Sequence, residues 1–143
     1  MEWYSSNAPG SMRGRFMTML KAEIKNIESN DAGSDWKHWV PENPSDVIHW
    51  FTLSIGVVGE DWSNLFQTAV ATPSAIKGRP HLMRTFRGFV VPTYEADAVE
   101  ELLRSYVADA TGIEWNDIAA TLQEKMIWEY GGMDGPAQDK ASF

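Results

Sequence analysis

The side chains most able to do chemistry in this 143-residue chain are three histidines, twenty carboxylates and scattered hydroxyls, with no cysteine among them. His38, His49 and His81 are far apart and form no HxH, HExxH or His-with-carboxylate spacing of the kind that holds a metal ion, so structural roles are expected for all three. The chain has no GxSxG nucleophile elbow, no phosphate-binding GxxxxGK[ST] loop, no GxGxxG fingerprint and no EF-hand spacing. Two carboxylates can serve as general acid and base wherever a fold brings them together, and Glu60 with Asp61 or Glu100 with Glu101 are the nearest candidates. Neighbours at i and i+1 on a helix face different directions, so Glu100 and Glu101 read as a solvated acidic face and not as a dyad. The expectation is no catalytic residue, no metal and no cofactor. Without cysteine there is no disulfide framework, thiolate zinc site or thiol nucleophile.

Charge is distributed unevenly. Residues 1–91 carry nine acids and nine bases, whereas residues 92–143 carry eleven acids against Arg104, Lys125 and Lys140, so the whole net charge of −8 lies in the last third. A neutral half joined to an acidic half attracts cations and repels phosphate, which points to a basic partner. One basic cluster, Lys77, Arg79, Arg84 and Arg87, is too short in so acidic a chain to argue for nucleic acid. Tryptophan is the other binding-prone type. Trp50, Trp115 and Trp128 fall at core-like positions, while Trp36 and Trp39 in a polar loop and Trp62 at a turn are expected to be exposed anchors.

The elements that must position these residues follow from hydrophobic period. Residues 1–18 show no period, mix Ser, Asn, Pro and Gly with Arg13 and Arg15, and are expected to be a flexible N-terminal extension. A single domain over 19–131 and a loose tail over 132–143 complete the chain. Leu20, Ala22 and Ile24 alternate with Lys21, Glu23 and Lys25, predicting a half-buried strand, followed by a long polar loop from Ser29 to Asp46. Val47 to Val58 and Trp62 to Thr72 predict an antiparallel hairpin about Gly59, Glu60 and Asp61, and Phe86 to Val91 a fourth strand. Ala98, Val99, Leu102, Leu103, Tyr106, Val107 and Ala110 repeat at helical spacing from Glu95 to Thr111. A second helix from Glu114 to Lys125 buries Trp115, Ile118, Ala119 and Leu122, and MIWEY closes the domain as a short strand. The expected fold is α+β, an antiparallel sheet of about five strands with two helices packed on one face. No apolar run approaches the ~18 residues that span a bilayer and no signal-peptide pattern opens the chain, so no membrane contact and a cytoplasmic location are expected.

In order and spacing, several stretches resemble the bacterial immunity protein 8 family: Met19-Leu20-Lys21-Ala22-Glu23, Phe51 to Gly56, Ala71-Thr72-Pro73, Trp115 after the first helix, and Trp128-Glu129-Tyr130. The resemblance spans roughly residues 19–131 and is interrupted by the extension at 1–18 and the loop from Ser29 to Asp46. It implies a small cytosolic antidote, encoded beside a polymorphic or contact-dependent toxin, that binds the toxin domain and blocks it without catalysis. It brings no catalytic residues. A compact acidic domain without a catalytic signature is also what an inhibitor of a basic nuclease needs. On that reading the toxin-binding surface is expected at Asp61, Trp62, Asp97, Glu100, Glu101, Glu114 and Asp117. The alternative, a small acidic chaperone for a secreted substrate, needs a dimer and an apolar groove. Gel filtration separates it from the antidote, whose oligomeric state the sequence leaves open. An enzyme built on scattered carboxylates would need a deep pocket holding perturbed acids.

Overall fold

The computed structural model describes residues 18–81 and 86–131. Its first strand, β1 (Leu20–Ser29), buries Ala22 and Ile24, then Ile27 and Ser29. The phase of alternation changes because a bulge between Ile24 and Asn26 inserts one residue, which leaves Lys25 and Asn26 both exposed. The long loop that follows contains a 3₁₀ turn at Trp36–His38 and leads into β2 (Ile48–Val57). β2 pairs with β1 on one side and with β3 (Asn64–Ala71) on the other, both antiparallel.

After β3 come a short helix, α1 (Pro73–Lys77), then β4 (Gly88–Val90), α2 (Ala96–Ala108), β5 (Thr111–Gly112), α3 (Trp115–Leu122) and β6 (Ile127–Trp128). The sheet order is β4-β3-β2-β1-β5, with β6 also on the outer edge of β3, making six strands. The α+β class and the two helices on one face agree with the sequence reading. One pairing departs from an all-antiparallel sheet: β4 runs parallel to β3, Ala69 to Ala71 facing Gly88 to Val90. The chain leaves β3, crosses over through α1 and re-enters on the same edge in the same direction, which only a parallel pairing permits. α1 itself was not expected, although Thr72 as N-cap and Pro73 in the first turn are its signal.

The core lies between the sheet and the two longer helices. Phe51, Leu53 and Ile55 of β2 and Phe66 and Val70 of β3 face Val99, Leu103 and Val107 of α2 and Ile118, Ala119 and Leu122 of α3. Val99, Leu103 and Val107 recur every four residues, the stripe by which a helix lies on a sheet. Trp50 sits half-buried on the opposite face with Thr52 and Ser54. Among the described residues no helix is long and apolar enough to cross a membrane.

Candidate functional site

The turn after β2 opens with Gly59 at φ 89°, a left-handed conformation that suits glycine. The backbone at Trp62 then folds onto Gly56, where a Cβ would meet the Trp62 carbonyl oxygen. This close return carries Asp61 and Trp62 to the strand end, both exposed, with the Trp62 ring edge-on to Trp115 at 4.9 Å. Trp115 is the first residue of α3, so Glu114 and Asp117 stand at the same end. They form a capping box: the Glu114 carboxylate accepts the Asp117 backbone N–H, and Asp117 Oδ2 accepts the Glu114 N–H at 3.0 Å. Both acids therefore close the helix terminus while remaining exposed.

Asp97, Glu100 and Glu101 lie on the first turns of α2. The chain entering α2 is tied there by the Tyr94 hydroxyl to His49, near the start of β2, while the Trp62 turn leaves from Val57 at its finish. The seven candidate residues thus fall into two groups by contact, Asp61, Trp62, Glu114 and Asp117 around the Trp62–Trp115 pair and Asp97, Glu100 and Glu101 on the first turns of α2. Lys37 of the 3₁₀ turn reaches Glu100 at 2.7 Å and Asp97 at 3.1 Å, and Arg104 Nε meets Glu100 at 3.0 Å. Hydrogen bonds from Lys37 first, then Arg104, hold the Glu100 carboxyl below its ordinary pKa. Lys37, Glu100 and Arg104 border an open cleft of about 330 Å³ with Lys25, Asn26, Asp35 and His38. Glu100 is thus already neutralised within the chain, whereas Asp61, Glu101, Glu114 and Asp117 enter no ion pair among the described residues.

One constellation invites a catalytic reading. His49 Nε2 lies 2.6 Å from Ser29 Oγ, and its Nδ1 lies 2.8 Å from the Tyr94 hydroxyl. All three are buried, His49 to 1% exposure, and the His49 ring is packed between Trp39 at 4.4 Å and Phe51 at 4.5 Å. No substrate reaches such a hydroxyl, and the network joins β1, β2 and the approach to α2. Burial lowers the His49 pKa and pushes Tyr94 up to about 12. Among the described residues no three His, Asp or Glu side chains are grouped to hold a metal ion. Of the three tryptophans expected to be exposed, only Trp62 is, at 42%. Trp36 is 3% exposed because the 3₁₀ turn tucks it edge-on to Phe51 at 5.1 Å, and Trp39 is half-buried against His49 and Tyr94. Arg84, of the basic cluster, lies outside the described residues.

The sequence also matches the family model for Immunity protein 8 over residues 22–132, most of the chain. The chain belongs to the immunity protein 8 family. No curated protein and no solved structure matches it significantly. Membership makes it an immunity protein against a polymorphic toxin, in a family that generally acts without catalysis. For an immunity protein 8 member the informative geometry is what its surface offers a protein partner. Sequence reasoning missed Asn64, Glu129 and Tyr130 there. Asn64 Oδ1 accepts the indole N–H of both Trp115 (2.8 Å) and Trp128 (3.1 Å), and Tyr130 packs edge-on to Trp128 at 5.7 Å.

Proposed function

We propose that this immunity protein neutralises a basic toxin domain, of the nuclease type, by binding over its active surface in the cytoplasm of the cell that carries both. The reading is carried by one observation: Asp61, Glu101, Glu114 and Asp117 are exposed and unpaired with any cation among the described residues. In a chain of net charge −8, such acids draw a cationic domain in and disfavour phosphate ligands. The sealing of Ser29 and His49 away from solvent supports inhibition by occlusion over inhibition by chemistry.

The test is to add the purified chain to the toxin domain encoded beside it and follow that domain's activity. Activity should fall linearly to zero at one equivalent and recover when the complex is dissociated by salt. Inhibition at catalytic amounts of the chain, or toxin left chemically altered after separation, would contradict the proposal.

A further inference from the structure

We propose that the toxin docks on an aromatic platform built around Asn64, with Trp62 and Tyr130 as its exposed anchors and an arginine-bearing basic surface as its occupant. This rests on the antidote reading above and specifies its site. The platform starts from a single amide oxygen. Asn64 Oδ1 receives both indole N–H groups, from Trp115 on α3 and Trp128 on β6, and so fixes two large rings from different elements side by side. Fully buried Phe66 supports both, stacked with Trp128 at 6.2 Å and edge-on to Trp115 at 6.3 Å. Each fixed ring braces an exposed one: Trp62 stands edge-on to Trp115 and Tyr130 edge-on to Trp128, with interplanar angles of 90° and 86°. Trp62 and Tyr130 remain 42% and 44% exposed. Large aromatic side chains held in place before binding lose little freedom on complex formation, which is the character of interface hot spots.

The charge around the rings selects the occupant. Asp61 and Glu114, both exposed, precede Trp62 and Trp115 in the chain, whereas the Glu129 carboxylate beside Trp128 accepts the Leu65 N–H at 2.6 Å. Lys25, close by, is engaged by Glu23 at 2.7 Å and by the carbonyls of Val57 and Glu60. Exposed rings on a surface that also carries Asp61 and Glu114 suit a guanidinium, which stacks on a ring and donates to a carboxylate. A second copy of this chain would set carboxylates against carboxylates. The surface around Lys37 and Arg104, already on Glu100, presents mixed charge and, among the described residues, no comparable exposed ring pair.

The experiment is calorimetric titration of the neighbouring toxin domain with the full chain, with its Trp62→Ala, Tyr130→Ala and double variants, and with a distal Glu42→Gln/Asp46→Asn variant in the loop before β2. Each single alanine should weaken binding at least about tenfold and the double more, while the distal variant changes it less than about threefold. Trp62→Phe, which keeps a ring on Trp115, should retain most of the affinity and guards against a folding artefact, with thermal melts run alongside. If the wild-type chain does not bind the toxin domain, the antidote reading itself fails. If the wild type binds and the alanine variants bind as tightly, the platform is overturned while that reading stands. A wild-type dimer abolished by Trp62→Ala would also overturn the proposal, assigning the platform to a second copy.

Discussion

Ser29 Oγ accepts the backbone N–H groups of Asp31 (3.0 Å) and Ala32 (2.8 Å), so its single hydrogen is directed to His49 Nε2. The ring is then the Nδ1–H tautomer and donates to the Tyr94 oxygen. Protonating His49 would place two hydrogens in one short contact and a charge in an aromatic cage. Its folded pKa lies below the ordinary value of about 6.5, so the unfolded chain takes up the proton first. Above that pH both states hold His49 neutral and no penalty exists. As pH falls below about 6.5 towards the depressed value, stability is lost. Urea denaturation at pH 7.5 and 5.5 should show a drop in midpoint for the wild type that His49→Gln largely removes; equal drops in the two proteins would contradict this. Ser29→Ala should cost about 1–3 kcal/mol at neutral pH, because two N–H groups lose their acceptor. The structural role of His49 was legible in the sequence from its lack of metal-ligand or catalytic spacing. Its partners were not, since they lie 20 and 45 residues away in the chain and only the fold brings them together.

At the scale of elements, α3 depends on its first turn. Glu114→Ala removes one half of the capping box and should lower stability by about 1 kcal/mol, measured by chemical denaturation. Glu114→Gln keeps an acceptor oxygen and should cost less; equal losses would place the effect in charge alone. The strands and both longer helices could be read from period, because burial on one face imposes alternation on β2 and four-residue recurrence on α2. The bulge in β1, the parallel entry of β4 and the burial of Trp36 could not. A bulge is one inserted residue in an otherwise regular pattern, the sense of β4 depends on the path of a crossover, and Trp36 is inserted beside Phe51 by a short turn within polar sequence. Asn64 escaped notice because its two indole partners follow it by 51 and 64 residues.

Over the whole molecule, the C-terminal excess of acid is divided between the first turns of α2 and the start of α3. Of the seven residues expected to form one surface, Asp61, Trp62, Glu114 and Asp117 gather at the β2–β3 turn, while Asp97, Glu100 and Glu101 stand on the first turns of α2. The excess of acid in the last third of the chain was legible in the composition. The division of those acids between two groups, and the neutralisation of Glu100 by Lys37 and Arg104, depended on a loop and helix whose proximity no spacing announces. On the proposed function, the unpaired acids capture a cationic toxin domain. The most direct measurement is the association rate of the chain with that domain by stopped-flow fluorescence across a salt series. A fall of at least about tenfold is expected between low and ~0.3 M salt, reduced when Asp61 and Glu114 are changed to Asn and Gln. A rate that is flat with salt, or equally steep in the variant, would contradict it.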